Sequence, residues 1–280
     1  MARLLQGKEV VSALNQRIKN EAAYLKERGI RPTLGIIRIG ERPDDISYER
    51  GATKRCETLG VDVEKCILAK DISQEEVLNI IETVNNNDKI HGILLFCPLP
   101  KHLDEVAIKK AISPDKDVDG ITESSMSSVY AGTASGFPSC TPQACIEILE
   151  HYDIPMKGKR AVVIGRSLVI GKPAAMMLLQ KDCTVTICHS KTENIETIVK
   201  KADIVIVAMG QAEAAGAGYF SETQTIIDVG INVNAEGKLC GDVNFEEVEP
   251  IVGAITPVPG GVGTVTTSVL VSHVVKAAAK

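Results

Sequence analysis

The 280-residue sequence contains no tryptophan, and only four phenylalanines and five tyrosines. Aromatic residues therefore do not dominate its core, and each one in a polar stretch asks for a reason. No long basic run is present and the formal net charge is −5, which argues against nucleic acid or an anionic membrane as the main partner. No apolar run reaches the roughly 18 residues that span a bilayer. The opening MARLLQGKEV lacks the apolar core and small-residue cleavage site of a secretory signal. A cytoplasmic protein is expected. The eight cysteines form no C-x-x-C pair, and the five histidines among them give no zinc spacing. Buried thiols and no metal site are the expectation. The generic dinucleotide fingerprint G-x-G-x-x-G is also missing.

What remains is the composition of a soluble globular protein with a full core: 44% hydrophobic and 24% charged residues. The length allows one large domain or two ordinary ones. Residues 8–28 read as an amphipathic helix that stops at Gly29. PTLGIIRIG (32–40) is apolar and β-branched, hence a strand. DDISYERGATKRCETLG (44–60) follows as a helix closed by Gly60. VDVEKCILA is a strand, SQEEVLNIIETVNNN a helix with a capping box, and IHGILLFCPLP a buried strand that stops at the prolines. Alternation at these intervals predicts parallel α/β sheets, because a crossover helix joins parallel neighbours. GFPSCTP (136–142) breaks the pattern and marks a domain boundary near residue 140. CTPQACIEILEHY then starts a linking helix. A second α/β run follows: RAVVIG, a helix from about 171, CTVTICH, NIETIVKKA, DIVIVAM and TQTIIDVG. The Gly/Ala-rich stretch 210–218 reads as a flexible loop, and GTVTTSVLVSHVVKAAAK as a final helix.

Two stretches carry chemistry. The first is VVIGRSLVIGKP (162–173). Gly165 ends a strand, and Gly171 opens a helix six residues later. A glycine there lets a ligand approach the backbone, and the helix N-terminus favours phosphate. An ordinary β–α turn would show the same glycines. The next strand ends His189, Ser190, Lys191, Thr192, with none of the acid that usually binds the ribose of NAD. Arg166, Ser190 and Lys191 suit the additional phosphate of NADP, though a solvated loop lysine is the plain alternative. The second is the helix around Tyr48. Ala52 lies one turn on, on the same face. The position where a charged partner would make a catalytic pair carries a methyl group.

DKDVDG (115–120), VVIGRSLVIGKP, TICHSKT (186–192) and TPVPGGVG (256–263) occur in this order and spacing. With them the chain resembles the methylenetetrahydrofolate dehydrogenase/methenyltetrahydrofolate cyclohydrolase (FolD) family over nearly its whole length. The resemblance implies two α/β domains with a cleft between them. Residues 1–140 would be the folate-binding catalytic domain, with the helix 266–280 returning to it. Residues 141–265 would be a Rossmann-like NADP-binding domain. It implies NADP as cofactor, tetrahydrofolate derivatives as substrates, and a homodimer. It implies that Tyr48 stacks along the folate and that Asp119 bonds the pterin ring, whose neighbouring N–H groups form a donor pair suited to a carboxylate. Leu95, Cys97, Pro259, Gly260 and Gly261 fall on substrate-lining positions. Gly165, Arg166, Ser167, Ser190, Lys191 and Ile231 fall on cofactor positions.

The sequence departs from the family pattern where the hydrolysis needs it most. The family's catalytic lysine position is Ala52, and its glutamine position before PLP is Phe96. Lys54 is no simple replacement, because six residues from Tyr48 is about 240° round a helix at roughly 100° per residue. Oxidation transfers a hydride and leaves a resonance-stabilised cation, so alignment carries most of that step. Hydrolysis must add water and move protons, which asks for general acid/base help. The expected function is an NADP-dependent methylenetetrahydrofolate dehydrogenase with weak or absent cyclohydrolase activity. The alternatives are a fully bifunctional enzyme that yields 10-formyltetrahydrofolate, and a non-catalytic folate- and NADP-binding protein.

Overall fold

The computed structural model describes residues 1–133 and 135–280. Its elements run β1 (Arg3–Leu4), α1 (Gly7–Glu27), β2 (Thr33–Ile39), α2 (Pro43–Leu59), β3 (Asp62–Leu68), α3 (Gln74–Asn85), β4 (Gly92–Leu95), α4 (Glu105–Ala111) and α5 (Glu123–Ala131). They continue α6 (Cys140–His151), β5 (Arg160–Ile164), α7 (Gly171–Gln180), β6 (Thr184–Cys188), α8 (Ile195–Val199), β7 (Ile204–Val207), β8 (Thr225–Asp228), β9 (Asn232–Val233), β10 (Leu239–Cys240), α9 (Phe245–Val248), β11 (Ala254–Ile255) and α10 (Val262–Ala278). The chain forms two compact units. One comprises Ala13–Pro138 with Thr267–Lys280, the other Met1–Ser12 with Ser139–Thr266.

The first of these holds three parallel strands in the order β3-β2-β4. Every residue of β2, TLGIIRI, is buried, as a central strand covered on both faces requires. β4 joins it with Leu34 opposite Gly92 and Ile37 opposite Leu95. Gly92 has no room for a side chain, because a Cβ would lie 2.6 Å from Val118. α2 starts with Pro43, whose fixed φ is preorganised for a first turn, and closes on Gly60 in the left-handed conformation. It runs unbroken through Gly51. α3 carries a complete capping box between Ser73 and Glu76. Ile37, Ile81 and Ile108 are fully buried in one cluster with β4, and each such side chain contributes about 1.5–3 kcal/mol.

The other unit is a six-stranded, all-parallel sheet in the order β1-β11-β8-β7-β5-β6. β7 (IVIV) and β8 (TIID) are buried throughout. One expectation is corrected here. Residues 1–140 are expected to form the N-terminal domain, yet Arg3 and Leu4 pair in register with Ala254 and Ile255 and extend this sheet. A two-residue strand is too short to show a period. A short 3₁₀ turn, Ala217–Tyr219, overlaps the end of the 210–218 loop.

Candidate active site

The buried residues of α2 are Asp45, Glu49, Ala52, Cys56 and Leu59. Their spacing of four, three, four and three makes one inward stripe. Ala52 is fully buried within it, and Tyr48 lies at its edge, 38% exposed. Glu49 locks this helix to the sheet. Arg38 on β2 donates to its carboxylate at 2.7 Å, and Lys65 on β3 reaches its other oxygen at 3.0 Å. Burial alone would raise the Glu49 pKa, but the two cations hold it below the ordinary carboxylate value. Tyr48 is thereby set on a rigid support.

Phe96 follows β4 and is 9% exposed. The rings of Tyr48 and Phe96 meet edge to face with centroids 5.8 Å apart. Two of the nine aromatic residues are therefore spent here, and Tyr48 lies one helical turn before Ala52. Lys54 lies on the exposed side of α2. Leu95 is buried at the end of β4, and Cys97 is half-buried before the cis bond to Pro98. Burial pushes the Cys97 thiol up to about 11; Lys109 opposes this, and the carboxylates of Glu105, Asp119 and Asp45 reinforce it. Cys97 is thus a neutral thiol at pH 7. The same influence places Asp119 within electrostatic reach of Cys97. Asp119 is half-buried in a segment fixed by its neighbours: the Asp117 carboxylate accepts from the Ile121 and Thr122 N–H groups at 3.0 and 2.8 Å, and His273 bonds the Val118 carbonyl at 2.9 Å.

Lys109 was not anticipated from the sequence. Its ammonium pairs with Glu105 at 2.5 Å and lies against the Cys97 thiol. Burial would lower its pKa, but the bond to Glu105 wins and raises it. The signal was present as a Glu–Lys pair at i,i+4 on a short helix.

In the other unit, Gly165 leaves β5 with φ +137°, and a Cβ there would sit 2.3 Å from the Ala208 carbonyl. A Cβ on Gly171 would sit 2.2 Å from the Gly165 carbonyl. The turn is therefore tight and built for glycine. The Ser167 hydroxyl accepts from Ile170 and Gly171 at 3.1 and 3.4 Å, so it helps to start α7. Arg166, Ser190 and Lys191 are exposed. The loop that bears Ser190 and Lys191 is shaped by His189, whose backbone N–H donates to Thr192 at 2.9 Å and whose ring accepts from Lys191 N–H at 3.1 Å. Ile231 is 68% exposed. A bare backbone turn, a helix start, two cations and a hydroxyl fit a phosphorylated dinucleotide such as NADP. Pro259, Gly260 and Gly261 also belong to this unit, where the Gly260 carbonyl accepts from Gly7 at 2.8 Å.

Comparison with known proteins identifies the family. Residues 5–119 match the tetrahydrofolate dehydrogenase/cyclohydrolase catalytic domain, and residues 139–280 match the NAD(P)-binding domain of the same family. The bifunctional protein FolD of Carboxydothermus hydrogenoformans is 52% identical over 99% of this chain and 97% of its own length. The crystal structure of the Campylobacter jejuni bifunctional enzyme FolD superimposes with a TM-score of 0.96 at 38% identity, covering 100% of this chain and 99% of that one. The Trypanosoma brucei methylenetetrahydrofolate dehydrogenase-cyclohydrolase, solved with NADP cofactor and an inhibitor, gives a TM-score of 0.90 at 32% identity, covering 99% and 97%.

Proposed function

The chain belongs to the tetrahydrofolate dehydrogenase/cyclohydrolase family, and we propose that it is the dehydrogenase of a reaction pair whose hydrolytic half has been lost or weakened. The reaction is oxidation of 5,10-methylenetetrahydrofolate to the 5,10-methenyl form with NADP. The carrying observation is the buried Ala52 one helical turn after Tyr48, whose ring meets the apolar ring of Phe96 rather than a polar partner.

Each residue then has a physical task. The Asp119 carboxylate accepts from the paired N–H groups of the pterin. Tyr48 offers a ring face, clamped by the Glu49 ion pairs. Leu95 and the neutral Cys97 line the apolar side. Gly165 would admit the pyrophosphate, Ile231 would line the cofactor, and Arg166, Ser190 and Lys191 would hold its additional phosphate. Bound NADP supplies the hydride acceptor. None of these residues has to remove a proton for the oxidation.

Hydrolysis is different. Water must be delivered and protons moved, a service typically worth about 10²–10⁴-fold. Ala52 and Phe96 offer neither. Lys54 is on the wrong side of an unbroken helix, and Lys109 is held as a cation by Glu105. A second reading, full bifunctionality, is favoured by the names of the relatives. A third, ligand binding without turnover, would need both half-sites to persist without use. Steady-state assays of both activities on one preparation decide among the three. A hydrolysis rate comparable with oxidation refutes the preferred reading, and binding of both ligands without reduction of NADP refutes the first two. The expected assembly is a homodimer paired through the NADP-binding units, testable by light scattering; a monomer at micromolar concentration refutes it.

A further inference from the structure

The sheet order places β5 between β6 and β7. Chain progression therefore reverses at β5, and in such sheets ligands bind outside the carboxyl ends of the strands at that reversal. Two turns flank the point: residues 165–170 after β5 and residues 208–211 after β7. They are in contact, because Gly165 packs against the Ala208 carbonyl. Ala208 itself is still held by the sheet, donating to Ile164 at 2.8 Å.

Beyond Ala208 the backbone of this turn is held by one side chain. The N–H groups of Met209, Gly210 and Gln211 donate to the Asp242 carboxylate at 2.6, 3.0 and 2.9 Å. The Asn232 amide, next to Ile231, donates to the same carboxylate at 2.9 Å. Asp242 is fully buried. Its position is fixed in turn by Asp228 at the end of β8, whose carboxylate accepts from Gly230, Asp242 and Val243, each at 3.0 Å. Glycines make room for both acids. A Cβ on Gly230 would lie 2.4 Å from the Asp242 carboxyl carbon, and one on Gly241 would lie 1.8 Å from the Asp228 carboxylate. Burial pushes the Asp228 carboxyl up to about 6, against the pull of its three N–H donors and with the Asp242 charge adding to the rise.

We propose that Asp242 is a positioning residue for the dinucleotide, holding the 209–211 turn and Asn232 as one wall of the cofactor site. This rests on reading the unit as the NADP site. Among the described residues, four donors converge on the two oxygens of Asp242, two on each, which a carboxylate satisfies and an amide does not. An amide would turn its own NH₂ toward an N–H donor. The wall would then shift while the folate-side unit, with its separate core, stays as it is.

The test is calorimetric titration of the full-length protein with NADP, and separately with tetrahydrofolate, for wild type, Asp242→Asn and Asn232→Ala. The expected result for Asp242→Asn is NADP binding weaker by about tenfold or more, the loss of at least one charge-assisted bond. Tetrahydrofolate binding is expected to stay unchanged, and KM for NADP to rise without a rise in KM for the folate. Asn232→Ala removes one donor at a half-buried position, so it remains informative if Asp242→Asn does not fold. It is expected to weaken NADP about threefold. Unchanged NADP affinity in Asn232→Ala, or in a folded Asp242→Asn, overturns the proposal. So does an equal loss of both ligands, which would mark a general structural role. Absence of NADP binding by wild type overturns the cofactor reading and this inference together.

Discussion

On the proposed reading, placing a lysine at position 52 and a glutamine at position 96 should raise hydrolysis. The perturbation is costly. Phe96 is almost wholly buried, and its replacement by a polar side chain forfeits about 2–3 kcal/mol of burial. The edge-to-face contact with Tyr48 is worth about 0.5–1.5 kcal/mol more. A lysine stem at the fully buried Ala52 adds overpacking of about 1–3 kcal/mol. Against a typical domain stability of about 5–15 kcal/mol, the double variant should fold but be fragile, so it is best assayed at low temperature. The chemical return is larger. Burial lowers a lysine's pKa by up to about 3–5 units, which brings the amine into the range useful for acid/base work near neutral pH. Hydrolysis of the methenyl product, followed by loss of its near-ultraviolet absorbance above the spontaneous rate, should rise by about 10²-fold or more. Oxidation should stay within about threefold, since its step needs alignment rather than a base. Ala52→Lys alone leaves Phe96 in place of a polar partner and should gain less than about a tenth of the paired effect, a strong positive coupling. A folded double variant that hydrolyses no faster than wild type would refute the reasoning.

Three further outcomes follow. Lys191→Ala should raise KM for NADP by about three- to tenfold, the loss of one charge-assisted contact, and leave KM for NAD unchanged; an equal effect on both would remove Lys191 from the phosphate site. Gly165→Ala forces a Cβ to 2.3 Å from Ala208, and should abolish NADP binding while tetrahydrofolate still binds; retained NADP affinity by calorimetry would contradict the tight-turn argument. His273 is buried, which pushes its imidazole down to about 4, with Lys276 adding to the fall and the bond to Val118 opposing it. The unfolded chain, with a histidine pKa of about 6.5, takes up the proton first, so this contribution is present above that value and is lost as pH falls toward 4, by about 3 kcal/mol. Urea unfolding at pH 7 and pH 4.5 should show His273→Asn losing less stability than wild type over that interval; equal losses would contradict the sign.

Much of the architecture was legible because long periodic segments announce themselves. The β2 run TLGIIRI and the Ser73–Glu76 capping box carry their own signals, and Gly60 and Gly165 sit where the backbone turns left-handed. β1 was not legible, since two residues have no period and their partner, β11, lies some 250 positions away. The short helices α4 and α5 were missed for the same reason, although Asp104 and Thr122 cap them with side-chain bonds. At the site, the family motifs pointed to Tyr48, Ala52 and Phe96, but the contact between the two rings joins residues 48 positions apart. No local pattern encodes that distance. Lys109, Asp228 and Asp242 were missed because their meaning lies in which N–H groups and thiols converge on them, and convergence is a property of the folded chain.

The central claim is that oxidation survives where hydrolysis has weakened. The most direct measurement follows both on a single preparation of the wild-type protein, with methylenetetrahydrofolate and NADP supplied and both the reduced cofactor and the methenyl product monitored. The account predicts that the two rise together and that the methenyl form then decays no faster than in buffer. Reduced cofactor formed with no accumulation of the methenyl form, because enzyme hydrolyses it as fast as it appears, would contradict it.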